Sequence, residues 1–126
     1  MNALVVAPYG EIRDSLSSLI SVIPEINIVS TTDSLDYAID FVVDYCPVIA
    51  VLVFDVLDLD KLTKTKSMKK ANPELKLVAI LKEIDWIPDS ISKSTLKTNM
   101  EIFDAVLPQY ARAGTIRETI SKMVSV

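Results

Sequence analysis

Three observations make this chain a doubly wound α/β domain, a five-stranded parallel sheet flanked by helices. Short apolar runs and amphipathic helical patterns alternate five times along its 126 residues. The third run, Val48 to Phe54, is uninterrupted by any polar residue, as expected of a strand buried on both faces, and such strands belong to parallel sheets covered by helices. Pro8, Pro24, Pro47, Pro73 and Pro88 fall at the joints between the patterns, where a fixed φ and a missing N–H do least harm. The length suits a single domain spanning 1–126.

Ala3 to Ala7 is the first apolar run and the first predicted strand. From Glu11 onward, Ile12, Leu16, Leu19, Ile20 and Ile23 recur at helical spacing until Pro24. Ile26 to Ser30 reads as the second strand. Asp33 or Ser34 can cap the second helix, whose predicted buried face is Leu35, Ala38, Ile39, Val42, Val43 and Cys46. Pro47 ends it, and the central strand follows, closed by Asp55. The third helix, around Leu62 to Lys70, is polar with a sparse apolar stripe, and its acid-first, lysine-last order suits the helix dipole. Leu75 to Leu81 is the fourth strand. In the stretch from Lys82 to Glu101, Pro88 and Asp89 can open a fourth helix with Ile91 and Leu96 facing inward. Asp104 to Pro108 is the fifth strand. Thr115-Ile116-Arg117-Glu118 has the pattern of a capping box opening the fifth helix, with Ile116, Ile120, Met123 and Val124 turned to the core.

Composition narrows the function. The net charge of −4 argues against nucleic-acid binding by this domain. Cys46 is the only cysteine, so no internal disulfide can form, and a reducing, cytoplasmic setting is expected. No apolar run approaches the ~20 residues of a membrane span. Histidine is absent, which removes the commonest general base and metal ligand and leaves chemistry to carboxylates. With only Gly10 and Gly114, the chain has no glycine-rich phosphate loop. Ligands of open parallel sheets bind beyond the carboxyl ends of the strands, so Asp55 stands at the functional rim. The pattern fits a complete small protein and a domain of a larger one alike.

The order of elements, with Asp55 closing strand three, resembles the receiver domain of two-component response regulators, which is CheY-like and flavodoxin-like in fold. Leu4-Val5-Val6 followed by Glu11 to Ile20 is similar to the family's first strand and helix, and Pro24 to Val29 and Pro73 to Val78 to the approaches to strands two and four. The resemblance covers nearly the whole chain and implies that Asp55 holds the phosphoacceptor position. The remaining signature positions depart from the family. Where receivers carry two acids that help hold magnesium, this chain has Ala7 and Pro8. Leu81 replaces the hydroxyl after strand four, Gln109 the lysine after strand five, and Leu59 the proline four residues past the phosphoacceptor.

Magnesium demands oxygen ligands in octahedral geometry, which a methyl group and a pyrrolidine ring lack. Phosphoryl transfer is catalysed mainly by positioning and charge neutralisation, and loss of one such stabiliser typically costs about two to three orders of magnitude. The expectation is therefore a degenerate pseudo-receiver, not an enzyme, needing no cofactor and acting by protein–protein interaction with a partner or effector domain. The alternative is a functional phosphoacceptor with Asp55 as the phosphorylated residue, and with Glu11, Asp55 and Asp58 as a rearranged magnesium site. A third reading is a small-molecule pocket over strands one and three, lined by Leu57, Leu59 and Leu81.

The segment from Leu81 to Gln109 is longer than the family spacing and holds Trp86. With Ile91, Leu96 and Tyr110 it makes the face of helix four, strand five and helix five the predicted interface for an effector or a homodimer, rather than the lysine-rich third helix. The expected reading of those lysines is a solvated helix face.

Overall fold

The computed structural model describes residues 2–8, 10–54, 59–81, 102–108 and 111–124. The central apolar run forms β3 (Ile49–Phe54), with all six residues buried. Around it lie β1 (Asn2–Val6), β2 (Ile28–Thr32), β4 (Lys76–Leu81) and β5 (Ala105–Pro108), all parallel, in the order β2-β1-β3-β4-β5. Four helices are described: α1 (Gly10–Ser21), α2 (Leu35–Tyr45), α3 (Leu59–Ala71) and α4 (Ala113–Val124), the last being the fifth in the sequence-based count. The helix expected between Pro88 and Leu96 lies outside the described residues.

Alternation along β3 builds two cores. Ala50, Leu52 and Phe54 join Ala38, Phe41 and Val42 of α2 and Leu62 and Met68 of α3 on one face. Ile49, Val51 and Val53 join Leu16 and Ile20 of α1 and Ile116, Ile120 and Val124 of α4 on the other. Both faces being covered explains why the strand carries no polar residue.

Several element details differ from the sequence expectation. β2 runs two residues later than expected, because β1 sets its register from Asn2 opposite Ile28 to Val6 opposite Thr32. Ile23 is buried but lies past the end of α1, in a turn where its N–H meets the Ile20 carbonyl at 3.0 Å. Ser34, not Asp33, caps α2: its Oγ accepts the Tyr37 N–H at 3.2 Å. Val43 and Cys46, expected on the buried face of α2, are exposed. Val43 turns outward on the helix, and Cys46 ends it in the left-handed region at φ 46°, with its N–H bonded to the Val42 carbonyl. The last helix starts at Ala113, before the expected capping box. The Ile116 N–H bonds to the Arg112 carbonyl, while Glu118 turns to Lys122 at 3.0 Å.

Candidate functional site

The strand order reverses between β1 and β3, because the chain leaves β1 for the β2 edge and leaves β3 for the β4 side. Above the carboxyl ends of such a pair lies the crevice in which open α/β sheets place their chemistry. Val6 pairs with Leu52, so β3 reaches two residues further than β1 before the chain arrives at position 55.

The β1 side of this crevice is apolar. Ala7 is fully buried, and its N–H extends the β1–β2 ladder to the Thr32 carbonyl at 3.0 Å. Pro8 follows, exposed at the rim. Leu81 closes β4 opposite Phe54 and is 8% exposed. A cavity of about 130 Å³ opens here between Val6, Pro8, Val53 and Phe54, with Asp33 and Lys61 as its charged groups. Pockets that hold small ligands are typically about 300–1,000 Å³; Leu57 of the expected small-molecule pocket lies outside the described residues.

Arg13 is the residue at this corner that motif-by-motif reading passes over. Its guanidinium donates to the Ala7 carbonyl at 3.3 Å and lies 3.7 Å from the Asp33 carboxylate. One side chain of α1 thus ties the end of β1 to the turn after β2. Nothing in the sequence announces this, since the contact joins three elements and has no periodic signature.

Of the positions where the resemblance would put magnesium ligands, the described ones, 7 and 8, do not fit the ion. Ala7 and Pro8 offer no side-chain oxygen, and the Ala7 carbonyl already accepts from a cation. Glu11, the substitute carboxylate, is exposed and lines a different recess, a groove of about 400 Å³ between α1 and α4 with Ile12, Leu16, Ala111 and Ile116. Among the described residues, no three Asp, Glu or Cys side chains lie close enough together to hold a metal. Asp55, Asp58 and Gln109 lie outside the described residues, as do Trp86, Ile91, Leu96 and Tyr110 of the expected interface. Also among the described residues, no helix is long and apolar enough to cross a membrane.

By sequence, the chain matches no protein-family model. No curated protein matches it either. By structure it is similar to many solved receiver domains. A protein of Burkholderia thailandensis named for pilus assembly (cpaE) aligns over 100% of this chain and 99% of its own, at 16% identity and a TM-score of 0.77. A LuxR-family DNA-binding response regulator of Staphylococcus aureus aligns over 98% of both chains at 15% identity and a TM-score of 0.76. The response regulator domain of Thermotoga maritima CheB aligns over 100% of this chain and 97% of its own at 14% identity, with a TM-score of 0.75. Likeness at such identities is likeness of fold, and the fold of this chain is that of a response-regulator receiver domain, CheY-like within the flavodoxin-like architecture.

Proposed function

We propose that this chain is a degenerate receiver domain, a pseudo-receiver that signals by protein–protein contact without magnesium-dependent phosphorylation of Asp55. The observation that carries this reading is the β1 corner: a buried methyl group at position 7, a proline at position 8, and the intervening carbonyl held by Arg13. A metal-assisted acyl phosphate needs its positive charge at that corner to neutralise the transferred oxygens. Without carboxylates at positions 7 and 8, that corner offers a magnesium ion no side-chain ligand. The domain is then non-enzymatic, requires no cofactor, and works in the cytoplasm as a docking module for a protein partner or effector domain. The face bearing Trp86, Ile91, Leu96 and Tyr110 is the one offered to that partner, with an aromatic anchor of the kind that dominates binding energy at interfaces.

The test is to titrate the protein with acetyl phosphate, and separately with beryllofluoride, each with magnesium, following amide NMR shifts near Asp55. No change is expected. A saturable, magnesium-dependent change that Asp55→Asn abolishes overturns the reading in favour of a working phosphoacceptor.

A further inference from the structure

Helices α2 and α3 lie side by side on one face of the sheet and carry opposite charge. On α2, Asp36, Asp40 and Asp44 follow one another at helical spacing, all exposed, with no cation on the helix. Beside them Tyr37, Phe41 and Tyr45 form an aromatic ladder, with ring centroids 6.5 Å and 4.8 Å apart. Its two tyrosines are 53% and 61% exposed, and Val43 of the same helix is 59% exposed. On α3, five lysines stand against the single acid Asp60. Like charges four residues apart on a helix each cost a few tenths of a kcal/mol. Between the two helices Lys64 relieves part of that repulsion, lying 3.5 Å from both Asp36 and Asp60. Among the described residues, Asp40, Asp44, Lys66 and Lys70 form no ion pair.

We infer that the α2–α3 face is a self-complementary docking surface for a second copy of this chain. Both helices are crossovers of a parallel sheet, so they run in the same direction. A two-fold axis parallel to them and midway between them places α2 of each copy over α3 of the other. Each acidic helix then meets a basic one, twice, as an isologous interface requires. The lysine stems can cover Tyr37 and Tyr45, adding cation–π attraction to apolar burial. Helices of this length, paired, present roughly 400 Å² in projection per copy. That is the small end of specific interfaces, and it suggests a dissociation constant on the order of micromolar. The overall charge of −4 repels two copies, so the attraction must be local. Salt should therefore weaken the dimer by roughly tenfold or more as the Debye length falls from about 30 Å to about 3 Å.

The inference goes beyond the phosphorylation-independent reading and does not need it, because its test contains neither magnesium nor a phosphodonor. Sedimentation equilibrium would be run on the wild type, on Asp40→Lys/Asp44→Lys, on Lys66→Glu/Lys70→Glu, and on an equal mixture of the two variants. The wild type should dimerise at about 10–100 μM, where a micromolar constant approaches saturation. Each variant alone should be monomeric, since like then faces like. The mixture should dimerise again, because each reversed helix meets its complement. Far-UV circular dichroism checks that each variant is folded; if one is not, Asp40→Asn/Asp44→Asn and Lys66→Gln/Lys70→Gln take their places, and each should weaken the dimer tenfold or more. A wild type that stays monomeric at millimolar concentration in low salt overturns the inference. So does a dimer indifferent to the substitutions, a mixture of folded reversed variants that stays monomeric, or a dimer lost only on Trp86→Ala or Tyr110→Ala.

Discussion

Lys64 shows how much a single side chain can do on this surface. Asp36, and after it Asp60, raise its pKa above the ordinary lysine value of 10.5. A group whose folded pKa is raised adds stability that is fully present below its unfolded value and disappears as pH rises through the folded one. The stability difference between wild type and Lys64→Met should therefore be constant from neutral pH to about 10 and vanish above it. Urea midpoints of the two proteins at a series of pH values measure that difference. It should be small, since all three groups are solvent-accessible and exposed pairs contribute little. Cys46 makes the opposite point about side chains. The apolar periodicity of α2 assigns it to the core, but the αL backbone that ends the helix turns it to solvent. A helix terminus overrides periodicity at the position where the period stops.

Among the elements, β5 is weakly secured by burial, with all four residues only half-buried. The short run Ala105 to Pro108 gives it little apolar area, and an edge strand has one neighbour only. Its fixing point lies just before it. The Asp104 N–H donates to the Leu77 carbonyl at 2.7 Å, while the Asp104 carboxylate accepts the Leu77 N–H at 2.8 Å. One residue thus satisfies both backbone groups of a fully buried leucine in β4. Asp104→Ala leaves that N–H unpaired, which typically costs about 1–3 kcal/mol. Asp104→Asn, which keeps an acceptor oxygen, should lose less; urea denaturation of the two variants separates these outcomes. The latch was not legible in the sequence, where Asp104 reads as the start of a strand, because its partner lies 27 residues away. The strands themselves were legible wherever burial on both faces made the apolar run continuous, as in β1, β3 and β4. β2 slipped by two residues because Ser30, Thr31 and Thr32 read equally well as strand or turn, and only pairing with β1 decides between them. At the candidate site, Ala7, Pro8 and Leu81 were readable by position in the pattern, whereas the Arg13 bridge was not, being a contact between elements.

At the scale of the whole molecule, the two cores share one wall. Leu52 of β3 packs toward α2 and α3, and its neighbour Val51 toward α1 and α4, and both are fully buried. A cavity made at Leu52 therefore weakens the strand on which both helical layers rest. Leu52→Ala should cost about 2–5 kcal/mol, the range for large-to-small changes in close-packed cores. The loss should appear as one cooperative transition, with the helices of both layers unfolding together. Native-state hydrogen exchange resolves the hierarchy beneath it. Amides of β1 and β3 should exchange only through global opening, so their protection should fall by the full loss of stability. Amides of β5 should exchange through local opening in the wild type and be nearly indifferent to the substitution. If instead only the α2–α3 side loses protection in Leu52→Ala while the α1–α4 side keeps it, the two cores are separate cooperative units and the shared-wall account is wrong. A single cooperative unit transmits a load placed on α2 and α3 to the strand ends above Ala7 and Phe54, whereas two independent layers would leave each face to act alone.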